Sequence, residues 1–304
     1  MARKAANSGR AAAGSAPAGT LTGAPAEYVL GANTAELDRL GLQHRLWSDA
    51  AHALWRRAGI RPAMAVLDAG CGPGFAAFDL AQIVGPAGRV VGVDQSPLFL
   101  DHLRAQAAAR GLGHLRAVQA DLTALAGNAD LRREADAILP RPGFDLAYAR
   151  WVLCFVSDPA AVVRGVASLL KPGARWCIQD YFNYESMCTA PRSPAFEKVA
   201  RATGQAWRAR GGDPDVMARV PALLADAGFH LEHLDVTQRL ARPGDSMWAW
   251  PETFWTNFLP VLVESGFITE ADRRAWLDEW AELSLNPGAF VVLPAVFDAI
   301  ALRR

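Results

Sequence analysis

The stretch that most constrains this chain is Val66-Leu67-Asp68-Ala69-Gly70-Cys71-Gly72-Pro73-Gly74. The apolar run Met64 to Leu67 has the character of a short buried strand. An acid and three glycines spaced two apart follow, and a helical pattern resumes from Phe75 to Ile83. Strand, glycine loop and helix make a ligand crevice at the carboxyl edge of a parallel sheet. Glycine lets the backbone approach a ligand and take positive φ without steric cost. The spacing also discriminates between ligands. A dinucleotide fingerprint needs a third glycine where Phe75 stands, and a P-loop needs a Gly-Lys-Ser/Thr triplet that does not follow. What stands is acid-x-G-x-G-x-G.

Around this loop, short apolar runs alternate with helical patterns. Strands are expected at Met64–Asp68, Arg89–Asp94, Leu115–Asp121, Phe144–Arg150 and Ala174–Asp180. Helices are expected at Phe75–Ile83, Pro97–Arg110 and Asp158–Leu170, and Leu122–Leu139 holds a loop and a helix. Pro97 sits in a first turn and Gly111 past a last one, as helix boundaries prefer. This alternation predicts an α/β fold with a doubly wound, mostly parallel sheet whose strand ends share one edge. Asp68, Asp94, Asp121 and Asp180 all fall at such ends.

The flanking regions differ. Residues 1–26 are mostly Ala, Gly, Ser, Thr and Pro with three basic residues, a composition too poor in large apolar side chains to order itself. Glu27 to Ile60 reads as helical, with Leu37, Leu40, Leu42, Leu46 and Trp47 forming one apolar face. The half after Asp180 is rich in aromatics. It carries helical patterns at Ser193–Arg210, Asp215–Ala227, Glu252–Glu264 and Thr269–Leu283. A sixth strand is expected at His230–Leu240 and a seventh at Ala289–Ala301. The expected organisation is a tail at 1–26, an N-terminal helical segment at 27–62, a cofactor-binding core at 63–181, and a helical substrate lid at 182–304 interleaved with the last strands.

Composition narrows the function classes. The formal net charge is zero, which argues against a nucleic-acid partner. No apolar run is long enough to span a bilayer. The four cysteines, Cys71, Cys154, Cys177 and Cys188, show no paired metal or redox spacing, so reduced thiols in a cytoplasmic protein are expected and no metal site.

Taken together, Asp68 and the glycine loop, Gly92-Val93-Asp94-Gln95-Ser96-Pro97, Ala120-Asp121-Leu122, Phe144–Arg150 and Leu169-Leu170-Lys171-Pro172-Gly173 resemble, in order and spacing, the motifs of class I S-adenosylmethionine-dependent methyltransferases. The resemblance covers roughly Ala63 to Asp180. It implies a Rossmann-like, seven-stranded fold and S-adenosylmethionine as cofactor. It implies that Asp68 with Gly70, Cys71, Gly72 and Gly74 holds the methionine end, and that Asp94 accepts from the ribose hydroxyls. Gln95, Asp121 and the Leu122 amide would meet the adenine, and Arg150 and Trp151 would line the methionine end. Glu27–Ile60 resembles the leading helices that such enzymes lay across the cofactor cleft, which implies that Tyr28, Gln43, His44 and Trp47 face it. Asp145 reads as a structural acid. Many relatives carry a histidine, sometimes a base, in the segment after strand four. Phe155 stands there, so no base is carried over to that position.

The candidates for catalysis are then His44, Asp180, Tyr181 and Glu185. Helix capping and packing compete as roles for Asp180 and Tyr181. Trp151, Tyr181, Trp248, Trp250 and Trp255 are candidate substrate contacts, the last three clustering between Pro243 and Pro260, whereas Trp207, Trp276 and Trp280 read as core. The reaction expected is in-line transfer of a methyl group to oxygen, nitrogen or carbon of a small apolar or aromatic molecule. Two alternatives stay open: a methyltransferase acting on RNA or protein, and a catalytically silent binding module of the same fold. The Asn/Asp-Pro-Pro-aromatic tetrad of enzymes that methylate exocyclic base nitrogens is absent after strand four.

Overall fold

A computed structural model of the chain describes residues 34–129, 133, 137 and 142–304. The expected tail, Tyr28 and most of the segment after Gly127 lie outside the described residues.

The described chain opens with helix α1 (Thr34–Arg57). Alternation follows as expected: β1 (Ala65–Ala69), α2 (Phe75–Val84), β2 (Arg89–Asp94), α3 (Pro97–Ala109) and β3 (Leu115–Gln119). A 3-10 turn at Leu122–Gly127 leads on to β4 (Phe144–Arg150), α4 (Pro159–Leu169) and β5 (Leu170–Tyr181). Ser96 and Asp158 cap α3 and α4 by accepting backbone N–H bonds, each with proline in the first turn. β1 and β2 are buried almost throughout, so they read as continuous apolar runs rather than alternating ones.

Beyond β5 come β6 (Cys188–Ala190), α5 (Pro194–Ala209), α6 (Val220–Asp226), β7 (Phe229–Thr237) and β8 (Leu240–Ala241). Then follow α7 (Ala249–Glu264), α8 (Glu270–Leu285), β9 (Phe290–Val292) and β10 (Val296–Arg303). The main sheet has seven strands in the order β3-β2-β1-β4-β5-β10-β7. Strands β1 to β5 are parallel, and β10 runs antiparallel between β5 and β7. This is the doubly wound, mostly parallel sheet expected.

Two expected elements divide. The single closing strand Ala289–Ala301 is two strands in two sheets. It breaks at Leu293-Pro294-Ala295, where proline has no N–H for a ladder. β9 joins β6 and β8 in a three-stranded sheet, whose strands are too short to leave a period in the sequence. The helix expected over Asp215–Ala227 is a 3-10 turn at Val216–Ala218 followed by α6.

Tryptophans hold the second half together. Trp248 stacks on Trp280 at 4.4 Å, Trp280 on Trp276 at 5.2 Å, and Phe196 meets Trp255 edge-on at 4.8 Å. These rings join α5, α7 and α8 into one helical layer. Thr269 and Asp272 form a reciprocal capping box at the start of α8, as its sequence announces. Asp145 is structural: it accepts from the Ala65 amide at 2.8 Å and from Lys171 Nζ at 2.7 Å.

Candidate functional site

The carboxyl ends of β1, β2 and β4 and the segment after β3 open onto a cavity of about 1000 Å³. Its floor is the glycine loop. Gly70 and Gly74 have φ of 74° and 90°, and a Cβ there would come within 2.4 Å of Val152 and 2.6 Å of Leu103. Glycine is therefore required twice over, by dihedral and by packing. Gly72, at φ 52°, has nothing within 4 Å of its missing Cβ, so bare backbone faces open space. Cys71 packs the loop against β2: a Cβ on Gly92 would lie 2.8 Å from its Sγ. Burial pushes the Cys71 thiol well up, so it is protonated and packs as a small apolar group.

Three carboxylates ring the floor, and each is held differently. Asp68 is buried, and its Oδ2 has no partner among the described residues. Burial pushes its carboxyl up to about 7; Asp94 adds to the shift and Arg150 opposes it. Asp94 accepts from the Gly72 and Ser96 amides, both at 2.9 Å, which fixes the loop relative to β2. Burial raises its carboxyl despite those bonds. Asp121 caps the following 3-10 turn through Thr123, with one oxygen taken. Gln95 and Leu122 also line the cavity.

Opposite the loop, helix α1 closes the cavity with Arg39, Gln43 and His44. Arg150 Nη2 lies 2.9 Å from His44 Nδ1, and His44 Nε2 lies 3.0 Å from Asp79 Oδ2 on α2. A guanidinium only donates, so Nδ1 accepts and the ring proton sits on Nε2, pointing at Asp79. His52 bonds the same Asp79 oxygen at 2.8 Å. Burial lowers the His44 pKa, and the bond to Asp79 resists that shift. Arg150 Nη1 is buried with no partner among the described residues. On the far side, the buried Arg39–Glu36 pair is bidentate, at 2.6 and 2.7 Å. Gln43 Oε1 accepts from Arg39 at 3.0 Å and from Trp250 Nε1 at 2.9 Å. Two donors on one oxygen fix the orientation of that amide.

The other half of the cavity is aromatic. Trp151 stacks between Tyr181 and Trp250, both at 5.8 Å. Tyr184 and Phe155 meet Trp207 at 4.9 and 4.8 Å, and Phe254 and Trp255 complete the wall. Trp151 sits at φ 51°, in the left-handed region, with its amide bonded to Gln179 O at 2.8 Å. Such a backbone costs a non-glycine residue about 1–3 kcal/mol and persists where its surroundings demand it. Here it turns the Trp151 ring into the aromatic stack.

Several expected placements are corrected. Asp180 does not face the cavity. It is buried, Oδ2 accepts from the Val152, Leu153 and Cys154 amides, and Oδ1 from the Tyr181 amide. Burial pushes its carboxyl up to about 6 even so. Trp248 lies outside the cavity because its ring is stacked on Trp280 and its N–H is spent on Ser284. Glu185 pairs with Arg208 away from the cavity. Trp207, expected in the core, also forms cavity wall. Tyr181, Trp250 and Trp255 line the cavity, the last two from helix α7, which begins earlier than the expected Glu252 and so includes Trp250.

Sequence reasoning missed Arg39, Asp79 and Tyr184. Two signals were present. Arg39 and Gln43 share a helix face at i and i+4, and Asp79 is the lone charge in an otherwise almost wholly apolar helix.

A family model described as a methyltransferase domain matches residues 60–210. The chain is 31% identical over 254 residues to trans-aconitate 2-methyltransferase of Azoarcus sp., covering 82% of this chain and 84% of that protein. It is 34% identical over 138 residues to 2-phytyl-1,4-naphtoquinone methyltransferase of Synechococcus elongatus, covering 42% of this chain and 53% of that one. The chain spans about half the length, or less, of several curated relatives it matches. In backbone it is similar to the YcgJ protein of Bacillus subtilis, with a TM-score of 0.54 at 16% identity over 84% of this chain and 99% of that one, a likeness of fold.

Proposed function

Because the chain belongs to the class I S-adenosylmethionine-dependent methyltransferases, we propose that it methylates a small aromatic or largely apolar molecule held in the tryptophan-lined half of the cavity. One observation carries this reading: a carboxylate-ringed glycine loop and an aromatic wall share a single cavity. Residues 63–181 then hold the cofactor and lend Trp151, Phe155 and Tyr181 to the acceptor half, and 182–304, with helix α1 from the segment 27–62, complete that half.

The residues present fit the cofactor. The unpartnered Asp68 Oδ2 and Arg150 Nη1 suit the ammonium and carboxylate of a methionine moiety. Bare backbone at Gly72 leaves room for close approach. Asp94, an acceptor held rigid by two amides, suits a ribose diol, and Gln95, Asp121 and Leu122 line the part of the cavity proposed for the adenine. When bound, S-adenosylmethionine supplies a methyl group on a cationic sulfur that leaves without protonation.

The chain's own task is then alignment and exclusion of water. Both His44 nitrogens are engaged and Asp180 is spent on four amides. Burial opposes ionisation of the Tyr181 and Tyr184 phenols. The aromatic half therefore offers no ready base among the described residues, which favours an acceptor that arrives already nucleophilic. The Gln43 amide, its oxygen tied to Arg39 and Trp250, keeps N–H donors for a polar atom of that acceptor. Two relatives are named for low-mass acceptors, trans-aconitate and 2-phytyl-1,4-naphtoquinone. The four unpaired cysteines favour a reducing compartment, the cytoplasm.

The test is to incubate the protein and methyl-labelled S-adenosylmethionine with fractionated extract of the source cells. Label is expected in a low-mass, organic-extractable product. Label in RNA or protein would overturn the small-molecule reading and leave the fold assignment standing.

A further inference from the structure

We propose that His44 is a positioning residue: through Nδ1 it holds the Arg150 guanidinium in place, and Asp79 and His52 keep it in the one tautomer able to do so. This rests on the reading of Arg150 as the partner of the methionine carboxylate.

The geometry leaves one protonation state. Arg150 only donates, so His44 Nδ1 must be an unprotonated acceptor. The proton on Nε2 then points at Asp79 Oδ2. His52, which is partly exposed, secures that same oxygen from the solvent side. Phe75 stacks on the His44 ring at 6.1 Å and fixes its plane. Three elements thus orient one guanidinium: α1 gives both histidines, α2 gives Asp79 and β4 gives Arg150. The second nitrogen of that guanidinium, Nη1, stays unpartnered and buried beside the cavity. A long, flexible arginine is in this way pre-organised for an anion, which lowers the ordering cost of binding.

Protonating His44 on Nδ1 would replace this bond with two cations in contact. The charged and titratable groups around the ring are Asp79 from α2, His52 from α1 and Arg150 from β4. Asp68 of β1 lies beyond Arg150, His102 of α3 beyond Phe75, and the exposed Arg45 adjoins it in the chain. Asp79 alone among the nearest three favours the added proton, and it is shared with His52. Burial of the ring works against the proton. Cofactor affinity should therefore be highest with neutral His44 and fall as acid drives the proton on.

The experiment is calorimetric titration of S-adenosylhomocysteine from pH 8 to pH 5 into the wild type, His44→Asn and His44→Leu. Asparagine keeps a neutral acceptor near the Nδ1 position; leucine keeps bulk alone. At pH 8 His44→Asn is expected within about threefold of the wild type, and His44→Leu weaker by about tenfold or more, the loss of a charge-assisted hydrogen bond. On acidification the wild type is expected to lose affinity more steeply than His44→Asn, by up to about tenfold per pH unit once His44 takes its proton. Any loss through Asp68 is common to both and cancels in the comparison. Wild-type affinity of His44→Leu at pH 8, or superimposable pH profiles for wild type and His44→Asn, would overturn the proposal. Failure of the wild type to bind S-adenosylhomocysteine at any pH would instead sink the functional reading on which it rests.

Discussion

Asp68 carries the sharpest prediction at the scale of one residue. Its folded pKa, about 7, lies above the ordinary carboxylate value because burial without a partner penalises the charge. The sign follows. The group's stabilising contribution is complete below the unfolded pKa and is lost as the pH rises through about 7. A bound ammonium reverses the penalty by favouring the carboxylate. Binding of S-adenosylhomocysteine at pH 7 is therefore expected to release roughly half a proton. The release is read from the dependence of the calorimetric enthalpy on the ionisation enthalpy of the buffer. Asp68→Asn should abolish it and weaken binding by about 10- to 100-fold. No proton release from the wild type would remove Asp68 as the ammonium partner.

At the scale of elements, one carboxylate joins the end of β5 to the segment after β4. Asp180 accepts from four backbone amides between Val152 and Tyr181. Three of those amides, Val152, Leu153 and Cys154, belong to the segment that carries Trp151 in its left-handed conformation and so shapes the aromatic half of the cavity. Asp180→Ala leaves four buried donors without a partner, at about 1–3 kcal/mol for each that finds no water. The expected loss is about 3–5 kcal/mol in urea unfolding, with acceptor binding degraded along with it. An unchanged unfolding midpoint together with a collapse of turnover would instead make Asp180 catalytic. The element, not the reaction, accounts for this acid.

At the scale of the molecule, the cover over the cavity depends on a long-range tie. Arg239, between β7 and β8, donates to Leu46 O at 2.7 Å and to both Asp49 oxygens at 2.7 and 2.9 Å. Its guanidinium also lies 4.4 Å from the centre of the Trp47 ring. The Leu293 amide bonds its carbonyl at 2.9 Å, so one residue fastens α1 to the segment before β10. Arg239→Ala is expected to cost about 1–2 kcal/mol and to speed proteolytic cleavage within α1. Unaltered cleavage of α1 would show that the helix is held by other contacts. The sequence by itself determined the glycine loop, the first five strands with their helices, and the acids at their ends. Those features rest on periodicity, turn residues and caps within a few residues of each other. The tertiary structure decided the rest. It placed β10 between β5 and β7 and split the closing segment at Pro294, because strand pairing joins residues far apart in the chain. It turned Asp180 onto backbone amides and engaged both nitrogens of His44. It also sent Trp207 to the cavity and Trp248 to the helical stack. Residue type and spacing carry none of this, since the direction of a side chain and its partner are fixed only when distant elements pack.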